Sequence, residues 1–284
     1  MKKLIDNLPR LMALLCAAVI VLIPFHAFLT VWASSLIGHY TALRLWKEVL
    51  LLLLFIGAVF LYIRGRQTRQ AAHREPLIGL ITIYIVLLIV AGLIAYLRDG
   101  VSLLAYLYGI VLDARFLVFF AITWVVSLHQ DLLVRLWQRL LLLPAAVVVG
   151  FATLQYTLLP ADFLKHFGYG PGTIPPSGTI DQKDAYVRIQ STLRGANPFG
   201  AYLVVVLSAL GALLLRARRL DWRLAVMYLL AGLALVFTFS RSAWLGTFAA
   251  TAWLVWLAIA RSARLRRALL IAGTAGVLAF AAVG

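Results

Sequence analysis

Long apolar runs, repeated along the whole chain, are the feature that most limits how this protein can fold. The first run, residues 11–31, contains no Asp, Glu, Lys or Arg, and runs of similar length follow it. Each is close to the roughly 20 residues that a helix needs to cross a bilayer. Charged residues make up only 13% of the chain, against about 25% in soluble domains. The sequence therefore predicts an all-α, polytopic helical membrane protein and excludes a water-soluble globular enzyme.

We predict about nine transmembrane helices, in two regions. Residues 1–139 hold helices one to four, and residues 140–284 hold an outer loop, 160–197, and helices five to nine. The last run ends at Gly284 with no polar tail after it, so we expect the chain to stop within its ninth span. The predicted spans are 11–31, 45–63, 77–97, 103–127, 140–159, 198–215, 224–239, 243–260 and 268–284.

The charge distribution predicts the orientation. The net charge of +16 would suggest nucleic acid as a partner of a soluble chain, but here Lys and Arg concentrate in alternate loops. With the N-terminus in the cytoplasm, the inner segments hold 17 Lys and Arg and the outer ones hold eight. This bias follows the positive-inside rule. We therefore expect the bilayer, and no nucleic acid, as a partner, with loop 160–197 on the extracytoplasmic side.

The outer loop has two parts of different composition. Residues 168–178 contain four glycines and three prolines, which favours a mobile loop without regular structure. Residues 181–193 lack both, and they place Ala185, Ile189 and Leu193 at i, i+4 and i+8. That spacing predicts a short helix lying at the interface.

Three arginines on the predicted outer side are candidate binding residues. Arg188 and Arg194 precede Asn197-Pro198, where the sixth span begins, and Arg241 lies between Ser240 and Ser242 in a tight turn. Arginine at a span end commonly anchors the helix at the interface. A guanidinium also binds phosphate through two parallel hydrogen bonds, and the N-terminus of a following helix favours anions. Anchoring and phosphate binding both remain open for these residues.

Charges inside the fourth span form a further candidate. Asp113 and Arg115 lie ten to twelve residues from its outer end, about 15–18 Å deep at 1.5 Å per residue. Intramembrane charges are costly, so they indicate a site or an ion pair between helices. We assign Asp113 to a structural pair and keep Arg115 as a candidate site residue.

Motifs for metal, nucleotide or triad chemistry are missing. No histidine has metal-ligand spacing with another, and the single cysteine excludes thiolate clusters. The chain also lacks a Walker loop, a GxGxxG element and a GxSxG elbow. We therefore expect no metal and no cofactor.

Two segments carry a family resemblance. Residues 188–203 read RIQSTLRGANPFGAYL, and residues 240–246 read SRSAWLG. In this order, with one inner loop between them, they resemble the O-antigen ligase/polymerase (Wzy_C-type) family of bacterial envelope proteins. Arg188 and Asn197 keep that family's spacing of nine, and Ser240-Arg241 matches its Ser-Arg pair. Ala196 stands in place of the usual proline, and Ser191 where glycine is common.

The resemblance, which covers about residues 140–260, implies a glycosyltransferase with a GT-C-type bundle in the bacterial inner membrane. It implies transfer of a glycan from an undecaprenyl-diphosphate carrier to lipid A core, a growing polysaccharide or a protein. By this resemblance Arg188, Arg194, Arg241 and Asn197 would bind the diphosphate. Ser240 is a further candidate, as is Arg115 because of its depth in the fourth span. The family's proton acceptor is a histidine of a later outer loop, which we expect beyond Gly284, so no catalytic base is assigned here.

Two other functions are compatible with the sequence. The protein could be a transporter or flippase of lipid-linked glycans, which the charged pair in the fourth span favours. It could also be an inactive relative that only binds the carrier lipid. The chain shows no internal repeat, a feature that transporters often have.

Overall fold

The computed structural model describes residues 2–98, 100–180, 183–217 and 219–261, and it is about 81% helical. Among these residues, seven helical segments are long and apolar enough to cross a membrane, which confirms the prediction of an all-α polytopic protein. The candidate spans are Asn7–Ile37, Tyr40–Arg64, Pro76–Arg98, Leu103–Ser127, Leu132–Thr157, Ala196–Arg216 and Arg241–Ala260. A shorter apolar helix, Trp222–Phe237, corresponds to the predicted seventh span. The predicted ninth span, 268–284, lies outside the described residues.

Eleven α-helices and one β-hairpin make up the described structure. The helices are α1 (Lys2–Leu22), α2 (His26–Ile37), α3 (Tyr40–Leu43), α4 (Trp46–Arg64), α5 (Arg66–Arg74), α6 (Pro76–Arg98), α7 (Leu103–Ser127), α8 (Leu132–Thr157), α9 (Ala196–Arg216), α10 (Trp222–Phe237) and α11 (Arg241–Arg261). The strands are β1 (Gly178–Ile180) and β2 (Lys183–Arg188). Short 3-10 turns cover Ile23–Phe25 and Phe163–Phe167.

Local chemistry explains where several of these helices begin and end. Ser102 caps α7 by accepting a hydrogen bond from the backbone N–H of Ala105, 3.2 Å away. Asp221 caps α10 in the same way through the N–H of Arg223. Pro76 opens α6, where its missing N–H costs nothing and its fixed φ suits a first turn. Pro24 lies in the 3-10 turn that separates α1 from α2.

The described residues divide into two compact units. The first contains residues up to Ile23 together with Thr41–Leu140, and its core is formed by α1, α4, α7 and the start of α8. Helix α6 has no buried residue although it is almost wholly apolar. Such a surface suits lipid, since a soluble monomer rarely exposes large contiguous apolar patches.

The second unit contains Pro24–Tyr40 and the described residues from Leu141 onward. The end of α8 packs there with α9, α10 and the start of α11 around a core of small and branched side chains. Phe199 of α9 is its largest fully buried side chain. A second cluster joins α2 to the loop after α8 through Val31, Leu164 and Ile174.

Two elements after the fourth span differ from the prediction, one in its start and one in its type. Helix α8 begins at Leu132, eight residues before the predicted span, so Arg135 and Arg139 lie on the helix and not in a loop before it. An ion pair between Asp131 and Arg135 at i, i+4 supports the first turn. The predicted interfacial helix over 181–193 is wrong, because β2 covers Lys183–Arg188 and pairs antiparallel with β1.

Candidate functional site

The two segments that carry the resemblance lie on helices that pack side by side. A Cβ atom at Gly200 of α9 would lie 2.8 Å from the Cβ of Ala243 in α11. A Cβ atom at Gly246 would lie 3.5 Å from Cγ2 of Val204, one turn further along α9. Because the contacting positions advance together along both helices, α9 and α11 run parallel. At this closest approach, any residue larger than glycine would force the two helices to shift apart.

Parallel packing brings the N-termini of α9 and α11 to the same end of the second unit. Helix α11 begins at Arg241, and the carbonyl of Ser240 accepts the N–H of Trp244 in its first turn. Each helix carries roughly half a positive charge at its N-terminus, together with unpaired backbone N–H groups. Two such ends side by side form a region of positive potential that favours an anion.

Arg188 connects the two helix starts. Its Nε donates to the carbonyl oxygen of Thr238 at 2.8 Å, and its Nη2 donates to Oδ1 of Asn197 at 2.6 Å. Thr238 follows α10, three residues before Arg241, and Asn197 lies in the first turn of α9. The guanidinium has five N–H donors, and these bonds use two of them. The remaining donors are held in a fixed orientation and can bind an anion.

The other two arginines are less constrained. Arg194 and Arg241 are exposed, and neither makes a hydrogen bond or ion pair with the rest of the described chain. Arg241 is the first residue of α11, where its charge is unfavourable next to the positive helix end. No Asp or Glu occurs in 187–200 or 237–246 to compensate. Within these two ranges there are therefore three cations, two helix N-termini and no carboxylate.

Ser240, the remaining candidate of this region, is buried with 2% of its surface exposed. Its Oγ lies 3.4 Å from Oγ of Ser242, and its N–H donates to Oγ1 of Thr238. Ser240 thus contributes to the turn that receives Arg188. The packing gives it a structural role in that turn.

A row of buried polar residues, which sequence reasoning did not identify as functional, positions Arg188. Gln190 donates from Nε2 to the carbonyl of Pro175 at 3.0 Å, and Thr192 donates to the carbonyl of Pro24 at 2.9 Å. Between them, Ser191 donates its hydroxyl to the carbonyl of Val148 at 2.7 Å. These bonds fix the chain just after Arg188 to three separate segments of the second unit.

Ser191 also explains one departure from the family pattern. Its φ angle is 52°, in the left-handed region that favours glycine. Its N–H donates to Oε1 of Gln155 at 2.8 Å, in addition to the hydroxyl bond. Glycine suits this position for conformational reasons, and serine is tolerated because its side chain is hydrogen-bonded. The one sequence feature that could have indicated this contact is Gln155, a polar residue in the apolar helix α8.

The hairpin that replaces the predicted helix presents Arg188 at its end. Gly178 pairs with Arg188 and Thr179 with Val187, with an irregularity before Ile180. After the strand, the N–H of Ile189 donates to the carbonyl of Phe237 at 3.2 Å. The aromatic and β-branched residues of this segment suit an extended chain. The i, i+4 pattern was misleading because the backbone of β2 forms its hydrogen bonds with β1 and not within a helix.

The glycine-rich part of the loop is irregular, as predicted, but it is packed. Tyr169 and Ile174 are buried, and the N–H of Gly170 donates to the carbonyl of Ile174. Burial raises the pKa of the Tyr169 hydroxyl, whereas a hydrogen bond from Lys165 holds the pKa of the exposed Asp162 carboxyl below its usual value. Two buried side chains therefore anchor this irregular segment.

Arg115 belongs to the first unit and has different partners. Its Nη1 lies 3.5 Å from Oε1 of Glu48, which also accepts from Nζ of Lys47 at 2.8 Å. Its guanidinium lies over the ring of Phe116. Asp113 is exposed and forms no ion pair with any described residue, so the structural pair assigned to it is instead made by Arg115. Glu48, inside the candidate span Tyr40–Arg64, was missed as the partner.

Of the residues the structure describes, no three His, Cys, Asp or Glu side chains converge as metal ligands. Comparisons of the chain with family models, with curated proteins and with solved structures find no match. The assignment of a function therefore depends on the chemistry of Arg188 and the residues around it.

Proposed function

We propose that this protein is a membrane glycosyltransferase of the O-antigen ligase/polymerase type. It transfers a glycan from an undecaprenyl-diphosphate carrier to a lipid A core, polysaccharide or protein acceptor. The proposed setting is the extracytoplasmic face of a bacterial inner membrane, with nine spans in a GT-C-type bundle. The observation that carries the proposal is the double hydrogen bonding of Arg188 to Asn197 and to Thr238, which lies two residues before the second resembling segment.

The leaving group of this reaction explains what the arginines contribute. The bond between the anomeric carbon and the carrier diphosphate breaks, and the acceptor hydroxyl oxygen forms the new glycosidic bond. The proton of that hydroxyl passes to a general base, which by the resemblance is a histidine of a later outer loop. Negative charge develops on the diphosphate as it leaves. Fixed N–H donors and helix N-termini that already point at this charge stabilise the transition state without reorganising. Arg188 supplies the oriented donors, and the exposed Arg194 and Arg241 supply long-range attraction and contacts at the rim.

The location of the arginines at the starts of membrane-spanning helices also suits a lipid-linked substrate. A polyprenyl tail remains in the bilayer while its diphosphate lies at the interface, so cationic groups are needed where membrane-spanning helices begin. Helices α9 and α11 are both candidate spans that begin beside these arginines. Anchoring alone accounts for the exposed Arg194 and Arg241, but it does not require Arg188 to be half-buried and bonded to two segments.

Binding of the carrier headgroup tests the proposal directly. Purified full-length protein in detergent is titrated with undecaprenyl diphosphate and with undecaprenyl monophosphate. We expect the diphosphate to bind more tightly, and Arg188→Lys and Arg241→Lys to lose at least about tenfold in affinity, because lysine keeps the charge but loses the bidentate fork. Arg98→Lys, at the exposed end of α6, is the matched control. Equal losses in all three variants, or none in any, would refute the proposal.

Transfer itself is tested by reconstitution with an undecaprenyl-diphosphate-linked glycan and an acceptor glycan. Product formation that Arg188→Lys abolishes supports an enzyme. A transporter or flippase instead moves the intact lipid-linked glycan across the bilayer without cleaving it.

The charge group in the first unit is the observation that favours the transporter as a second candidate. Lys47, Glu48 and Arg115 lie on candidate spans, and ionisable groups inside spans often belong to transport pathways. A flippase assay in vesicles with fluorescently labelled lipid-linked glycan distinguishes the two functions. Transport that Glu48→Gln abolishes at normal protein abundance supports the transporter.

A further inference from the structure

The first unit contains an apolar groove next to a strongly basic helix. The groove has a volume of about 250 Å³ and is lined by one half of each of α4, α6 and α7. Except for Tyr62 and Thr82, its lining side chains are hydrocarbon only. The hydroxyl of Thr82 donates to its own helix at the carbonyl of Ile78, 2.9 Å away. The groove therefore offers one polar group, Tyr62, and suits a hydrocarbon chain.

The basic helix lies at one end of this groove. Tyr62 of α4 precedes α5 by four positions, and Ile78 of α6 follows the last residue of α5 by four. At 1.5 Å per residue each separation is about 6 Å along a helix. Both ends of α5 therefore lie near the same end of the groove, the end lined by Tyr62 and Ile78.

Hydrogen bonds hold α5 against the groove. Nη1 of Arg69 donates to the carbonyl of Ile63 at 2.6 Å, which fixes α5 to the end of α4. On α7, the groove residue Val125 accepts from Nδ1 of His129 through its carbonyl at 3.0 Å, and Nε2 of His129 lies 3.4 Å from Oγ1 of Thr68 in α5. Because a carbonyl oxygen can only accept, the ring proton of neutral His129 lies on Nδ1. Its Nε2 therefore accepts a hydrogen bond from the hydroxyl of Thr68. Helix α5 is therefore positioned by both neighbouring helices.

The outward face of α5 is positively charged, and the acidic residue at its C-cap, Glu75, forms no ion pair with any residue that the structure describes. Arg66, Arg69 and Arg74 are exposed, as is Arg64 at the end of α4, whereas Thr68 is 3% exposed and faces inward. Neither α5 nor the last turn of α4 contains an acidic residue. An amphipathic basic helix that joins two spans lies at the headgroup level of a membrane and attracts anionic lipid.

We propose that the first unit binds an anionic phospholipid, with an acyl chain in the groove between α4, α6 and α7 and its phosphate against the arginines of α5. The occupant follows from charge complementarity: the groove excludes polar groups, and the adjacent helix requires an anion. A zwitterionic lipid fits the groove equally but gains less from α5, because its own cation opposes the arginines. The site uses none of the residues of the proposed glycosyltransferase site and does not depend on that function.

Native mass spectrometry of the purified full-length protein tests this proposal. The protein is incubated with equal amounts of phosphatidylglycerol and phosphatidylcholine, and retained lipid is counted. We expect the wild type to retain phosphatidylglycerol preferentially, and Arg66→Gln/Arg74→Gln to lose that preference by about fivefold for each arginine. Arg216→Gln/Arg219→Gln removes the same charge at and just after the end of α9 and serves as control. Equal losses in the two double variants would show general charge attraction and overturn the proposal.

A second pair of variants tests the groove. Ala121→Trp fills it from α7, so it should reduce retention of both lipids, whereas Leu104→Trp on the exposed surface of the same helix should not. Ala121→Leu is the milder replacement if the tryptophan variant does not fold, as judged by its elution as a single species. Unchanged retention in both Ala121 variants overturns the proposal. Displacement of the lipid by millimolar glycerol phosphate would show a site for the anion alone, and would overturn it too.

Discussion

Nη2 of Arg188 lies 2.6 Å from Oδ1 of Asn197, nine residues further along the chain and at the start of a different element. The same guanidinium donates through Nε to Thr238, just after α10. A side chain that joins a strand end, a helix start and a helix end fixes their relative positions. The same two hydrogen bonds therefore hold the Arg188 guanidinium in place and connect the start of α9 to the turn before α11.

Asn197→Asp separates the charge of Arg188 from its position. The aspartate keeps the hydrogen bond to Arg188 and adds an ion pair, and a carboxylate in the first turn of α9 also favours the helix dipole. We expect thermal stability in detergent to be unchanged or higher. Affinity for undecaprenyl diphosphate should fall at least about tenfold, because the new charge repels the phosphates and because a hydrogen bond to a charged group, of the kind the phosphate would lose, is worth about 1.5–3 kcal/mol.

A neutral replacement serves as the control for that variant. Asn197→Ala removes the acceptor without adding charge, so it should loosen Arg188 and lower binding by a smaller factor. Diphosphate affinity that is unchanged in Asn197→Asp would show that Arg188 does not contact the ligand.

Gly200→Ala should destabilise the second unit. Its new Cβ would lie 2.8 Å from Cβ of Ala243 and 3.1 Å from Cβ of Ser240, so α9 and α11 must move apart. Overpacking of this kind costs about 1–3 kcal/mol, measurable as a lower midpoint of thermal unfolding. The reciprocal change Ala243→Gly in the same protein should restore part of the loss.

Gly232→Ala is the matched control, since nothing lies within 4 Å of the added Cβ. In the middle of α10 it should be neutral or stabilising, because alanine is the better helix former. Equal destabilisation by both alanines would mean that the contact between α9 and α11 is not as close as the structure has it.

Two substitutions at Ser191 separate backbone strain from hydrogen bonding. Both Ser191→Gly and Ser191→Ala lose the hydroxyl bond to Val148, but only glycine adopts a φ of 52° without cost. The left-handed conformation costs other residues about 1–2 kcal/mol. Ser191→Gly should therefore be the more stable variant by about 1 kcal/mol in thermal unfolding. The reverse order would contradict the assigned backbone conformation.

Cysteine labelling tests the predicted orientation. In a Cys16→Ala background, Gly172→Cys in the outer loop and Leu220→Cys between α9 and α10 introduce single thiols at exposed positions. The charge bias predicts that an impermeant maleimide labels Gly172→Cys in intact cells and Leu220→Cys only after permeabilisation. The opposite pattern would reverse the orientation and place the arginine site on the cytoplasmic side.

Length and hydropathy were sufficient to predict most of the helices. The predicted span 103–127 coincides with α7, and 45–63 differs from α4 by one residue at each end. The agreement has a physical basis, because a helix in lipid satisfies its own backbone and needs no partner to do so. The start of α8 was misplaced because Arg135 and Arg139 mark a polar segment in the sequence, yet polar residues are accommodated on a helix that extends out of the apolar region.

Some features of the candidate site could likewise be predicted from the sequence, whereas others required the tertiary structure. The sequence by itself determined that arginines stand before the apolar helices α9 and α11, and that Asn197 follows Arg188 by nine residues. It could not determine that residues 183–188 form a strand, because a β-strand depends on a partner for its hydrogen bonds. Nor could it show that Arg115 pairs with Glu48, 67 residues earlier in the chain. Only the tertiary structure brought Arg188 to Thr238 and the start of α9 to that of α11, because those contacts depend on which side chains leave room for two helices to meet.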